Sequence, residues 1–230
     1  MQYVILVGCL LGGYLLGSLN ASIIFGKLFR GADIRQSGSK NAGMTNTLRV
    51  FGKSAAAVVF LFDLVKAIIA VLLAKYVSLR LSVSAEAVLG GAEADPLAFS
   101  LLCQYMAGLG AVLGHNFPLY FSFKGGKGIL ASWGVIMILD YRIAIILLVV
   151  FVLVVATTRY VSLASITSAI IYPLFVIAFN VGKPTVTTFY YILLSVIVSA
   201  LAVYRHRSNI KRLTSGTESK LGEKQGVKKE

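Results

Sequence analysis

The chain has 230 residues, 57% hydrophobic and 13% charged, with a mean hydropathy of +0.83 and 22 Lys and Arg against 9 Asp and Glu. Soluble domains are about 45–50% apolar and about 25% charged, so this composition excludes an ordinary soluble protein and points to an integral membrane one. The net charge of +13 then reads as basic cytoplasmic loops rather than as a nucleic-acid surface.

A membrane-crossing helix needs roughly 20 mostly apolar residues. The first candidate is Tyr3–Phe25; "MQYVILVGCLLGGYLLG" lacks the positive stretch of a secretory signal, so it is expected to be retained. Ser54–Ala74 and Leu97–Gly114 follow. The apolar run from Gly128 to Thr157 is interrupted by Asp140, Tyr141 and Arg142, which suit an interfacial turn. It divides into Gly128–Leu139, a short half, and Ile143–Thr157. Val161–Phe179, with Pro173 inside it, and Thr187–Tyr204 complete the set. Membrane helices tolerate such a proline where neighbours satisfy the freed carbonyl.

Charge supports that division. With the N-terminus outside, the inner side holds Lys27, Arg30, Arg35, Lys40, Arg49 and Lys53, then Lys124, Lys127 and Arg159. The basic end of the chain, Arg205, Arg207, Lys211, Arg212, Lys220, Lys224, Lys228 and Lys229, joins them. Outside are Lys75, Arg80, Arg142 and Lys183, beside a loop neutralised by Glu86, Glu93 and Asp95. A merged span would put Arg159 and the basic end on the sides opposite to these. The expected fold is therefore an all-α bundle of about seven transmembrane helices, N-terminus outside and C-terminus cytoplasmic. Residues 1–213 form one transmembrane domain and 214–230 a basic, mobile tail. Gly8/Gly12, Gly13/Gly17 and Gly110/Gly114 carry the small-residue spacing of closely packed membrane helices. Cys9 and Cys103 stand in apolar runs without metal or disulfide spacing.

Four polar segments fall on the inner side. "DIRQSGSKNAGMTNTLRVFGK" gathers Ser39, Asn41, Thr45, Asn46 and Arg49 around Gly38 and Gly43. Such residues form anion-binding nests, and they also simply make loops. "GHNFPLYFSFKGGKGIL" sets His115, Lys124 and Lys127 about Gly125 and Gly126 before an apolar helix, whose N-terminus suits phosphate. It lacks the P-loop spacing, and its lysines also fit snorkelling interface anchors. "TTRYVSLASI" offers Arg159 and Ser162. "YRHRSNIKRLTSGTES" spaces His206, Asn209 and Arg212 three apart, on one face of a helix, which also suits contact with anionic lipid. Asp63 and Lys66, inside the second span, can pair at i,i+3. Many cations, hydroxyls and amides with few carboxylates argue against metal-assisted hydrolysis and favour a pocket for phosphate compounds.

"DIRQSGSKNAGMTN", "GHNFPLYFSFKGGKG" and "HRSNIKRLTSGTE" resemble, in order, the three signature segments of the bacterial acyl-phosphate:glycerol-3-phosphate acyltransferases. "TTRYVSLASI" and "FDLVKA" resemble further family segments, and the likeness runs from the first helix to about Glu218. It departs at Lys40, where the family usually has Gly, at Met44, usually Ala, and at "GILAS" for "GVATS". The resemblance implies a seven-helix membrane enzyme with its site on the cytoplasmic side of the bacterial inner membrane. It would transfer a fatty acyl group from acyl phosphate to the 1-hydroxyl of glycerol 3-phosphate, giving lysophosphatidic acid and phosphate without a cofactor or metal.

Carried over by motif, Ser39, Arg49, His115, Lys124 and Lys127 would be catalytic. Asn41, Thr45, Asn46, Gly125, Gly126, Arg159, Ser162, His206, Asn209 and Arg212 would hold the substrates. Acyl phosphate is already activated, so alignment and charge neutralisation suffice. His115 or a substrate phosphate oxygen would take the proton. The partners are then the two substrates and the bilayer, with no nucleic acid, and a monomer suffices. The H-x-x-x-x-D box of another acyltransferase family is missing, since Tyr120 stands five residues after His115. A transporter of phosphorylated metabolites is the alternative, but it would place charges near the midplane, where only Asp63 and Lys66 stand. A membrane anchor would leave the glycine-rich loops unexplained.

Overall fold

The computed structural model describes residues 2–81, 96–182 and 185–223, among which all regular structure is helical. In chain order the helices are α1 (Gln2–Gly17), α2 (Ala21–Arg30), α3 (Met44–Phe51), α4 (Lys53–Leu81) and α5 (Pro96–Asn116). They continue with α6 (Ile129–Leu139), α7 (Tyr141–Thr158), α8 (Val161–Asn180), α9 (Val186–Arg205) and α10 (Arg207–Thr214). Glu86, Glu93, Asp95, Lys183, Lys224, Lys228 and Lys229 lie outside the described residues.

Among the described residues, six stretches are long and apolar enough to cross a membrane: 2–30, α4, 96–121, α7, α8 and α9. The shortest, α7, has 18 residues, or about 27 Å at helical rise, close to the ~30 Å of a bilayer core. The segment expected as a short seventh span is α6, whose 11 residues rise only about 16 Å. It is a half-span, packed between α4 and α7. The turn expected at Asp140 ends it: the backbone there is extended, and the carboxylate caps α7 by accepting from Arg142 N at 3.1 Å.

The first span differs from expectation. Tyr3–Phe25 is not one helix but two, broken at Ser18–Asn20. Ser18 Oγ turns back to the Tyr14 carbonyl at 2.8 Å, and the Asn20 side chain starts α2 by accepting from Ile23 N at 3.1 Å. Two polar side chains that compete for backbone groups suffice to interrupt an otherwise apolar helix.

Glycine spacing sets the tightest contact. A Cβ at Gly13 or Gly17 would strike the carbonyls of Ala107 or Ala111, and one at Gly110 or Gly114 those of Leu10 or Tyr14. The α1–α5 backbones therefore touch, as the spacing foretold. Gly8 and Gly12 face open space instead. Around this pair, α4 backs α1 and α5, while α6, α7, α8 and α9 follow one another and α9 closes onto α5. The apolar core, with Val112, Ile136, Leu147 and Val176, sits where α5–α9 meet. α8 continues unbroken through Pro173.

Of the segment 214–230, expected as a basic, mobile tail, the described part 214–223 folds back onto the bundle. The chain turns at Gly216 (φ 69) and returns to the α7–α8 corner. There Leu221 N donates to the Arg159 carbonyl at 2.8 Å, and the Arg159 guanidinium donates to the Leu221 carbonyl at 2.9 Å.

Candidate active site

The first polar loop is built around Asn46, at the start of α3. Its Nδ2 donates to the carbonyls of Ile34 (3.2 Å) and Ser37 (3.0 Å), and its Oδ1 accepts from Ser39 N at 2.8 Å. Gly38 (φ 58) leaves room for that amide, since a Cβ there would strike Asn46 Oδ1. Lys40 takes the same left-handed conformation at φ 59, which costs a side chain about 1–2 kcal/mol. From below, Asn20 Nδ2 holds the Ala42 carbonyl at 3.2 Å and Thr47 Oγ1 meets Ser22 Oγ at 3.1 Å. The break in the first span is therefore what carries this loop. Its rim presents Ser39, Asn41, Thr45 and Arg49, with the positive end of α3 at Gly43–Thr45.

The glycine loop is folded for a different reason than expected. Gly125 N donates to the Asn116 carbonyl (3.2 Å) and Gly126 N to the His115 carbonyl (3.0 Å), so neither N–H is free for an anion. Both lack a side chain because a Cβ at Gly125 would strike the His115 carbonyl, and one at Gly126 the His115 ring. Their own carbonyls are clamped by Arg205, at 3.1 Å from its Nε and 2.7 Å from its Nη2 to Gly126, while its guanidinium lies over Phe117. Arg35 fastens the outer side by donating to the Phe121 (2.8 Å) and Lys124 (3.1 Å) carbonyls. The result points Lys127 inward and leaves Lys124 exposed.

His115 is buried against Asp63 and Lys66. Lys66 Nζ lies 2.7 Å from Asp63 Oδ1, 3.3 Å from His115 Nδ1 and 2.7 Å from the Leu19 carbonyl, to which it donates. The expected Asp63–Lys66 pair thus joins α4 to both the break in the first span and the end of α5. The Lys66 ammonium offsets the Asp63 charge there, as charged groups taken out of water require.

The third assembly centres on Glu218, which the sequence reading passed over. Its Oε1 accepts from Ser162 Oγ and Asn209 Nδ2, both at 2.7 Å, and its Oε2 from Arg212 Nε at 2.6 Å. Burial alone would raise this carboxyl, but these three donors hold it below its ordinary value. Lys127 Nζ donates to Asn209 Oδ1, extending the chain of contacts to the glycine loop. Burial lowers the Lys127 ammonium to about 8; Glu218 opposes that shift, while Arg212, Arg49 and Arg205 reinforce it. His206 Nδ1 lies 2.8 Å from the Ala202 carbonyl, so this nitrogen carries the proton and Nε2 keeps its lone pair. Burial, then the nearby Lys127 charge, holds this imidazole down to about 4, hence neutral at pH 7.

These groups surround one cavity of about 380 Å³. Of the residues singled out from sequence, Ser39, Asn41, Thr45, Asn46, Arg49, His115, Lys127, Ser162, His206 and Asn209 line it. Lys124, Gly125, Gly126, Arg159 and Arg212 do not. Gly125 and Gly126 support the loop from behind, Arg212 holds Glu218 from outside, and Arg159 pins the returning chain at its left-handed φ of 62. Asp63 and Glu218 line the cavity although they were not assigned to the site. Glu218 was visible in "TSGTE", but a site read as cationic gave no reason to choose a carboxylate. Below the polar mouth the wall turns apolar, with Phe60, Ile129, Trp133, Ile136, Leu148, Phe151 and Tyr172.

Residues 7–216 match the family described as glycerol-3-phosphate acyltransferase. Curated relatives of that name include one from Thermoanaerobacter sp. strain X514, 42% identical over 94% of this chain and 95% of its own. Another, from Clostridioides difficile strain 630, is 38% identical over 92% and 93%. Two crystal structures of PlsY, described as an integral membrane glycerol 3-phosphate acyltransferase, share 34% of the sequence and cover 94% of this chain. The glycerol 3-phosphate form superposes with a TM-score of 0.76 over 96% of that chain, and the lysophosphatidic acid form with 0.73 over 95%. Family model, relatives and structures agree along nearly the whole length: the chain belongs to the glycerol-3-phosphate acyltransferase family and is an integral membrane protein of the PlsY kind.

Proposed function

We propose that the protein transfers a fatty acyl group from acyl phosphate to the 1-hydroxyl of glycerol 3-phosphate, at the cytoplasmic face of the bacterial plasma membrane. The observation that carries this reading is a single cavity with two kinds of wall: Arg49, Lys127, His206 and Asn209 at its mouth, and apolar side chains below. Phosphate groups suit the mouth and an acyl chain suits the rest. The relatives' names supply the acceptor, and the lysophosphatidic acid form of PlsY is a state of that structure holding the corresponding product.

Two polyanions meet in the reaction, and Arg49 and Lys127 offset their repulsion while fixing the geometry of attack. The hydroxyl oxygen bonds to the acyl carbon as the carbon–oxygen bond to phosphate breaks, and the hydroxyl proton leaves with the phosphate. No covalent enzyme intermediate is required. A neutral His206, with Nε2 free to accept, positions the hydroxyl rather than deprotonating it, because an imidazole held near 4 is a weak base. Buried His115 holds the glycine loop in place. The excess of Lys and Arg at the motif-bearing end supports the cytoplasmic assignment.

The test compares donors on the purified protein with glycerol 3-phosphate. Acyl phosphate is expected to give equal amounts of phosphate and lysophosphatidic acid, with acyl-CoA and acyl-carrier protein at least 100-fold slower. Equal turnover with a thioester donor would refute the donor assignment.

A further inference from the structure

The cavity's apolar depth contains a second kind of information. Along α8 its wall reads Ser162, Ser165, Ser168, Ala169 and then Tyr172. Four small side chains leave a furrow, and the fifth closes it. From the level of Ser162 to that of Tyr172 the helix rises about 15 Å. Trp133 and Ile136 of α6 and Val198 of α9 flank the same furrow.

Tyr172 is a firm stop. It is only 3% exposed and belongs to the core cluster that contains Tyr105 and Tyr191, whose rings stack at 5.4 Å. A ring backed in this way cannot swing aside without opening the core. On the lipid side the cavity is bounded by Phe60 of α4 and by Leu148 and Phe151 of α7, and Phe60 and Leu148 are 37% and 41% exposed. Phe60 and Leu148 thus give a chain arriving from the bilayer a lateral way in, and the furrow and the polar mouth belong to one cavity.

We propose that Tyr172 is the floor of the donor's tail channel and sets the acyl chain length the enzyme prefers. The occupant follows from continuity: Lys127 and Arg49 line the same cavity as this furrow, so a group whose phosphate rests on them lays its tail along it. With C–C bonds of about 1.5 Å, a zigzag chain advances roughly 1.3 Å per carbon, so 15 Å takes about 11 or 12 carbons. Longer tails reach Tyr172 and must bend towards the lateral opening. Removing the ring extends the channel, and filling the furrow above it shortens the channel. This inference rests on the acyl-transfer reading above, and it names the residue that sorts donors within it.

The experiment measures kcat/KM for a series of saturated acyl phosphates from 8 to 18 carbons, with glycerol 3-phosphate saturating. The wild-type profile is expected to peak and then fall. Tyr172→Ala moves the peak two to four carbons longer, Ala169→Leu moves it shorter, and Tyr172→Phe, which keeps the ring, retains the wild-type profile. Ala169→Leu decides the matter if Tyr172→Ala fails to fold. An unchanged peak in the folded variants, or a flat wild-type profile, would overturn the proposal. So would a profile that responds to Leu148→Trp and not to position 172, because the tail would then leave sideways. Should acyl phosphate prove the wrong donor, that failure is read in absolute rates. The same series on the donor that does turn over still tests Tyr172.

Discussion

Glu218 and Lys127 show how a single residue sets the chemistry of its neighbour. The carboxylate takes three donors on one side and, through Asn209, steadies an ammonium on the other. Lys127 is charged below about 8, so kcat/KM is expected to fall above that pH as the cation that meets phosphate is lost. Glu218 opposes the lowering of Lys127, so Glu218→Gln removes that support. The alkaline limb of the profile then moves to lower pH, and a limb that stays in place would dissociate the two residues. Lys40 offers a stability test: its left-handed backbone favours glycine. Lys40→Gly is expected to stabilise the protein by about 0.5–1 kcal/mol, read as a higher thermal midpoint in detergent.

At the scale of elements, the break in the first span does the most to build the site. Asn20 and Leu19 hold the first loop and Lys66, and Lys66 with Asp63 holds His115 at the glycine loop. Asp63→Asn leaves a buried ammonium without its counter-charge, and a loss on the order of 3 kcal/mol follows. Chemical or thermal unfolding measures it, with Asp63→Asn, Lys66→Met as the partner-removed control that should recover much of the loss. The α1–α5 contact makes a sharper contrast between glycines of equal spacing. Gly114→Ala drives a methyl group into the Tyr14 carbonyl and is expected to cost about 1–3 kcal/mol, whereas Gly12→Ala meets open space and costs little. Equal effects at the two positions would contradict the packing described.

For the whole molecule, the helical membrane class and many of the residues that line the cavity were legible in the sequence, and for physical reasons. Apolar runs report burial in lipid directly, and Asp140 was readable as a turn because Asp140, Tyr141 and Arg142 interrupt such a run with groups that suit the interface. Motif order placed Arg49, Lys127, Ser162, His206 and Asn209 together, and they line one cavity. What stayed hidden depends on direction and return. Lys124 and Lys127 look alike in "KGGKG", yet the clamped loop turns one out and the other in. The break at Asn20 lay within an apolar run that satisfies a span. The chain after Leu213 looked like a polar tail because nothing local announces that Glu218 comes back to Ser162.

That difference between two neighbouring lysines gives the most direct measurement of the central claim, that the cavity's inward cations bind the reacting phosphates. Phosphate release from acyl phosphate is measured for Lys127→Ala, Arg49→Ala, Lys124→Ala and Lys75→Ala. Losing a charge at the transition state costs about 3–4 kcal/mol, so Lys127→Ala and Arg49→Ala are expected to fall on the order of 100-fold or more. Lys124→Ala and Lys75→Ala, both on exposed side chains, stay within about threefold of wild type, the range of surface substitutions. Comparable losses at all four positions would contradict the account.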